Sequence, residues 1–383
     1  MILITLVGNA LVCLAVLLVR KLKQPQNFLL VSLAVADFFV GLIVMPMALV
    51  DLLFDRWPLG RIMCSLYTTA DLTLCTASIV NLCAISVDRY LVISKPLRYS
   101  ANRTTKRILF YIMIVWLIAA GVASSSHVIG NLLYDEGSTS VDRCQVVPHF
   151  IYQIYATIIS FYAPTLIMII LNVKIWQAAK RLAKQDKILS HCNSIDIEGS
   201  RENSKDGDLL PDKEFINEKK RASVSQLFKL EKKYLTRPRT FLEVVRSPLF
   251  QSTKGSEKNE CKARKTLGVV MSVFIICWLP FFSLAILKSC LNVDVPHWLD
   301  MLTLWLGYSN STLNPLIYCK YNKEFRVPFW EMLACRCATL QTVMRRQSFT
   351  SRYGPTIIEN PQSPCRRPLL ERKVESQAET SDM

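Results

Sequence analysis

Seven apolar stretches dominate the chain, at approximately Ile2–Val19, Asn27–Leu53, Arg61–Ile93, Ile108–His127, Phe150–Ala179, Lys262–Leu287 and Trp298–Cys319. About 17–25 apolar residues let a helix cross the hydrocarbon layer of a bilayer, and every stretch is long enough. Lipid offers no partner for a free backbone N–H or C=O, so runs of this length must close their hydrogen bonds internally, as helices. The expected fold is an all-α membrane protein built as a bundle of seven spanning helices. Pro46, Pro164, Pro280 and Pro315 fall inside the second, fifth, sixth and seventh stretches. Each removes a backbone hydrogen bond and is expected to kink its helix.

Basic residues alternate between the loops. Arg20, Lys21 and Lys23 follow the first stretch, and Arg98, Arg103, Lys106 and Arg107 follow the third. Many more lie between the fifth and sixth and in the C-terminal tail, whereas the opposite loops offer mainly Arg56, Arg61, Arg143 and Lys288. By the positive-inside rule the N-terminus faces outward and the C-terminus is cytoplasmic, which suits a multi-pass protein of the plasma membrane. The net charge of +16 therefore reports topology and contact with an anionic inner leaflet, not nucleic-acid binding. A hydrophobic content of 51% fits a membrane domain diluted by polar loops. The first stretch lacks a basic leader and a small-residue cleavage site, so it is expected to act as its own insertion signal.

Residues of about 182–259 are polar and aperiodic and are expected to form a disordered third cytoplasmic loop. Beyond the seventh stretch, Tyr321-Asn322-Lys323-Glu324-Phe325-Arg326 with Phe329, Met332 and Leu333 reads as a short amphipathic eighth helix along the inner membrane face. Cys335 and Cys337 end it as palmitoylation candidates. Residues 1–337 thus make one domain, and 338–383 are expected to be a disordered cytoplasmic tail. The thirteen cysteines show no metal-binding spacing. Cys64 and Cys144 fall on the outer, oxidising side and are expected to form a disulfide that holds a loop over the mouth of the bundle.

An acid, Asp71, lies within the third stretch, and Asp88-Arg89-Tyr90 follows on the same segment. At the rise of an α-helix the two sites are about 25 Å apart, most of the bilayer core. A charge inside a membrane is costly and marks function. Near the outer mouth, Asp71 suits a counter-ion for a cationic ligand, because an ammonium stripped of water needs an anion to replace it. Trp278, Phe281, Phe282, Trp305 and Tyr308 supply aromatic faces for cation–π attraction. Third-stretch neighbours provide no Lys or Arg at the depth of Asp71, which disfavours a structural ion pair. Paired broken helices or repeats, the mark of an ion-coupled transporter, are not found in the sequence.

Further motifs occur in order: Gly8-Asn9, Leu33-Ala34-Val35-Ala36-Asp37, Asp88-Arg89-Tyr90, Trp116, Cys277-Trp278-Leu279-Pro280 and Asn314-Pro315-Leu316-Ile317-Tyr318. From Gly8 to Cys337 the chain resembles the rhodopsin-like G protein-coupled receptors. Asp71 and its aromatic partners resemble the biogenic-amine branch of that family. Tyr308 stands where an opsin carries its retinal-binding Lys, so retinal attachment is not expected. The resemblance implies a ligand site of Asp71, Leu72, Cys75, Thr76, Val146, Ala156, Thr157, Ser160, Trp278, Phe281, Phe282, Trp305 and Tyr308. Ala156, Thr157 and Ser160 occupy positions that meet the ligand's ring substituents. Ser160-Phe161-Tyr162 and the run from Ser86 to Ile93 look most like octopamine and α-adrenergic-type receptors, and octopamine or tyramine is the favoured ligand. Serotonin and dopamine remain alternatives, as does a truncated isoform with weak or no signalling.

The same resemblance implies a sodium pocket of Asp37, Ser78, Asn310, Ser311 and Asn314, with a water-filled polar network as the alternative. It implies no cofactor beyond that possible ion, and no catalytic residues. At the inner end, Arg89 is expected to pair with Asp88 and with Glu260, locking the third helix to the sixth. Ile79, Pro164 and Phe274 are the expected repacking trio, with Tyr318 beside the inner cleft. Movement of the sixth helix about Pro280 would open a groove for a heterotrimeric G protein, with arrestin and receptor kinases as further partners. Asn172 departs from the family's Tyr, a change expected to weaken the open state. Ser223 and Ser348 follow basic residues and are phosphorylation candidates.

Overall fold

The computed structural model describes residues 1–54, 57–94, 104–133, 144, 150–178, 180–181, 253–291, 295–336, 338 and 340–353. Helix α1 spans Ile2–Leu18, α2 Pro25–Phe54, α3 Gly60–Ser94, α4 Thr105–Leu133 and α5 Phe150–Ala178. Helix α6 spans Thr253–Leu291, α7 His297–Tyr321, α8 Lys323–Leu333 and α9 Leu340–Tyr353. Among the described residues there is no strand. Neighbours in sequence pack together, and α7 rests on both α6 and α1, which closes the helices into a ring. Helices α2 to α6 each contain a segment long and apolar enough to cross a membrane, and α1 is a shorter apolar helix. The bundle is apolar outside as well as inside: Leu3, Leu17, Leu117, Leu132, Ile151 and Trp176 are all exposed. Such a surface would aggregate in water and is at home in lipid.

Hydropathy marks only the membrane part of each helix, so several helices outrun the apolar stretches that announce them. Helix α4 begins at Thr105 and α6 at Thr253, inside the segment expected to be a disordered loop. The rest of that loop lies outside the described residues. The tail also differs from expectation, because Leu340–Tyr353 is helical. Leu340 and Met344 are buried there, and the Gln341 amide donates to the carbonyl oxygen of Leu18 at the end of α1. Two apolar side chains one turn apart thus give α9 a seat on the bundle.

Two of the four prolines act through widened turns. A π-type turn at Val40–Val44 precedes Pro46, and another at Ile158–Tyr162 precedes Pro164. Proline donates no N–H to the preceding turn, and a one-residue bulge absorbs the mismatch within the helix. Helices α6 and α7 carry Pro280 and Pro315 internally. Pro25 starts α2 at a position where its missing N–H is harmless.

Polar groups join the helices inside. The hydroxyls of Thr5 and Thr312 are 2.6 Å apart, and the Asn9 amide donates to the carbonyls of Thr5 at 2.9 Å and Ser311 at 3.1 Å. Trp116 Nε1 of α4 donates to Ser32 Oγ of α2 at 3.2 Å. Interhelical bonds of this kind hold membrane bundles, where hydrophobicity gives helices no reason to leave lipid. Small residues allow close approach. A Cβ on Gly8 would sit 2.7 Å from Pro315, and one on Gly307 2.6 Å from the Trp278 ring. Asn322 caps α8 by accepting from the Glu324 N–H at 3.0 Å, and Lys21 pairs with Glu324 at 3.0 Å. Phe325, Phe329 and Met332 face the bundle while Trp330 and Leu333 are exposed, which is the amphipathic pattern expected of the eighth helix.

Candidate functional site

The outer site is built on the face of α3 that carries Asp71. Its Oδ1 accepts from the Tyr308 hydroxyl at 3.0 Å and from the Cys75 thiol at 3.3 Å. Both are neutral, so the carboxylate is oriented but its charge is not cancelled by either. Below it the aromatic side chains interlock. The Trp278 ring lies edge-on to Tyr308 at 6.2 Å and to Phe281 at 5.9 Å, and tilted against Phe282 at 5.7 Å. Trp305 meets Tyr308 at 6.0 Å. Asp71, Trp278, Phe281, Phe282, Trp305 and Tyr308, from three helices, therefore line one region.

Helix α5 forms the opposite wall. Ala156, Thr157 and Ser160 are all buried, and the Thr76 hydroxyl of α3 donates to Ser160 Oγ at 3.2 Å. Leu72 is partly buried on α3 beside Asp71, and Val146 lies outside the described residues. Cys64 and Cys144 form a disulfide with Cα atoms 5.5 Å apart. It ties the segment before α5 to the outer end of α3.

Two residues that the sequence did not assign to the ligand site pack into this region. Phe161 is fully buried and stacks on Phe282 at 4.5 Å, while touching Phe274 at 5.7 Å. Tyr67 places its hydroxyl 3.4 Å from that of Tyr308. Its position one turn before Asp71 on the same helix face was the available signal.

Midway down the bundle, Asp37 is fully buried. Its Oδ1 accepts from Ser78 and Ser311, and its Oδ2 from Asn314, each at 2.8 Å. Asn310 and the Asn314 side-chain oxygen are buried without a protein partner, as is Asn81. Buried polar atoms of this kind call for water or an ion. An oxygen-rich set around one carboxylate fits a small hard cation.

At the inner end Asp88 is buried and Arg89 partly so, and both have interaction partners. Glu260 lies within α6, but its side chain is outside the described residues, so the expected lock to Arg89 is not visible. Ile79, Pro164, Phe274 and Tyr318 are buried, and Ile79, Phe274 and Tyr318 share the main core. Asn172 donates to the Met168 carbonyl at 2.8 Å and to the Met271 sulfur, which also receives the Ser86 hydroxyl at 3.5 Å. The Met271 sulfur thereby joins α3, α5 and α6. Cys335 is exposed just beyond α8, and Cys337 and Ser223 lie outside the described residues. Ser348 falls on α9, with its side chain likewise outside them.

The family described as 7 transmembrane receptor (rhodopsin family) matches residues 8–318. The chain belongs to the rhodopsin family of seven-transmembrane receptors. It is therefore a multi-pass membrane receptor and not an enzyme. It is 39% identical over 357 residues to 5-hydroxytryptamine receptor 1 of Drosophila melanogaster, covering 88% of this chain and 63% of that one. Against 5-hydroxytryptamine receptor 7 of Xenopus laevis it is 36% identical over 361 residues, covering 92% and 78%. Against human 5-hydroxytryptamine receptor 1F it is 33% identical, covering 88% and 91%. The expected likeness to octopamine and α-adrenergic-type receptors finds no support in these relatives. That expectation rested on short runs around Ser86–Ile93 and Ser160–Tyr162, and the first of these lies at the far end of α3 from Asp71, where Ser86 packs against Met271.

Proposed function

We propose that this receptor binds a protonated biogenic amine, 5-hydroxytryptamine foremost, on its outer side and activates a heterotrimeric G protein on its inner side. The observation that carries this reading is Asp71, a carboxylate inside the membrane with neutral hydrogen-bond partners and an aromatic wall of Trp278, Phe281, Phe282, Trp305 and Tyr308. An ammonium head replaces its lost water with that carboxylate and gains cation–π attraction from the rings. Ala156 at the outer position of α5 carries no hydroxyl, and Thr157 and Ser160 offer theirs to a single ring substituent. Serotonin relatives support the indole amine over a phenylethylamine.

Signal transfer follows from the packing below. Trp278 sits beneath the amine site, and Phe282 links it through Phe161 to Phe274 further down α6. A ligand that prefers one arrangement of these rings shifts α6 about Pro280, and only its differential affinity for the two arrangements does so. The inner end then frees Arg89 from its lock with Glu260 and opens a groove for a helix of the G protein. Sodium held by Asp37, Ser78, Asn310, Ser311 and Asn314 would supply a positive charge against the buried carboxylate. Lipid attached at Cys335 would hold α8 to the inner leaflet, and phosphate at Ser223 or Ser348 would recruit arrestin after receptor kinases act.

The direct test is a panel of 5-hydroxytryptamine, octopamine, tyramine and dopamine on cells expressing the chain, with calcium and cyclic-nucleotide readouts. The expected result is the lowest effective concentration for 5-hydroxytryptamine. Silence to every amine from a surface-expressed receptor overturns the reading.

A further inference from the structure

The amine site contains a tyrosine pair in which only one member touches the acid. Tyr308 Oη lies 3.0 Å from Asp71 Oδ1, and a carboxylate can only accept, so the single Tyr308 proton points to Asp71. The same oxygen lies 3.4 Å from Tyr67 Oη. With the Tyr308 proton committed, Tyr67 must be the donor in that contact. The direction of the chain is thereby fixed: Tyr67 to Tyr308 to Asp71. A distance of 3.4 Å is long for two hydroxyls, and hydrogen bonds at unliganded sites commonly tighten when a ligand arrives.

Tyr67 is itself held from outside. Its ring stacks on Trp57 at 5.4 Å with 21° between the planes, and Trp57 Nε1 donates to the Gly60 carbonyl at 2.8 Å. Gly60 takes a positive φ of 75° at the start of α3, a turn that glycine makes without strain. Trp57, Tyr67 and Tyr308 are all buried. A Phe at position 67 would keep the stack and lose the donor, so the hydroxyl is the part of this side chain that packing does not require.

We propose that Tyr67 is a positioning residue for amine binding: its hydroxyl aligns that of Tyr308, which in turn sets the Asp71 carboxylate toward the ammonium. The relay rests on the amine reading above. It couples the outer loop at Trp57 to the counter-ion and strengthens through mutual polarisation of its hydrogen bonds.

The test is a double-mutant cycle read by saturation binding of tritiated 5-hydroxytryptamine to membranes, with receptor number counted by an epitope tag. Tyr67→Phe is expected to weaken binding about three- to tenfold, the scale of one net hydrogen bond. In a Tyr308→Phe background the same change is expected to have almost no effect, because the acceptor it aligned is gone. Equal losses in both backgrounds would assign Tyr67 to packing alone and overturn the proposal, as would no loss in either. Trp57→Phe reads the same cycle from the far end of the relay if Tyr67→Phe fails to reach the surface. Asp71→Ala is measured alongside. Retained binding in that variant defeats the amine reading itself, whereas dependence on Asp71 without coupling between Tyr67 and Tyr308 defeats the relay only.

Discussion

Gly307 offers a sharp test of how α6 and α7 meet. A Cβ built there falls 2.6, 2.7 and 3.0 Å from three atoms of the Trp278 ring. These separations are well inside van der Waals contact, so either the ring or the helix must move. The ring has little freedom, because Trp278 is 4% exposed and is boxed in by Phe281, Phe282 and Tyr308. Overpacking of a filled core costs about 1–3 kcal/mol. Gly307→Ala should therefore destabilise the receptor by about that amount, offset in part by the about 0.5–1 kcal/mol that alanine gains over glycine within a helix. Gly121→Ala is the internal control, since its Cβ would meet nothing within 4 Å. Thermal unfolding of the purified receptor in detergent should place Gly307→Ala below the parent and Gly121→Ala at or above it. Displacement of the Trp278 ring should also reduce amine affinity in the first variant only. Equal melting temperatures for the two variants would refute the argument.

Asp37→Ala strands the donors of Ser78, Ser311 and Asn314, at about 1–3 kcal/mol for a buried unsatisfied group. It should lower the melting temperature and remove any dependence on sodium concentration; a sodium effect that survives would contradict the pocket. Glu260→Ala should raise ligand-free signalling in cyclic-nucleotide and calcium assays, and an unchanged baseline would count against the inner lock. Met271→Leu removes the sulfur shared by Ser86 and Asn172. Because Ser86 and Asn172 keep carbonyl acceptors at Leu82 and Met168, its cost to stability should stay below about 1 kcal/mol. Ligand-free signalling should rise nonetheless, and no rise would mean the sulfur contact does not restrain α6.

The bundle was readable because lipid imposes one rule on every span, so seven apolar runs become helices without any knowledge of their partners. Asp71 and Asp37 were readable for the same reason: a carboxylate stands out in such runs. What escaped the sequence is what depends on three-dimensional neighbours. Pro46 and Pro164 announce a disturbance, but whether the helix kinks or widens into a π-type turn depends on hydrogen-bond register. Tyr67 looks like any aromatic residue in an apolar helix until Tyr308 is brought across from 241 positions away. Phe161 is one of many phenylalanines until Phe282 stacks on it. Helix α9 was hidden because its polar composition resembles disordered tail, and its seat on the bundle comes from the buried Leu340 and Met344 and the Gln341 hydrogen bond to Leu18. The preference for octopamine over the serotonin alternative found no support among the relatives, because one of the runs it leaned on, Ser86–Ile93, packs the far end of α3 from Asp71.

In the proposed mode of binding, the Asp71 carboxylate receives the ligand's positive charge. Saturation binding of tritiated 5-hydroxytryptamine to Asp71→Ala tests it most directly, with surface expression checked by an epitope tag. Loss of one partner of a buried ion pair costs about 3–5 kcal/mol, or about a hundred- to several-thousand-fold in affinity. A loss of that size is expected. Affinity within a few-fold of the parent receptor would contradict it.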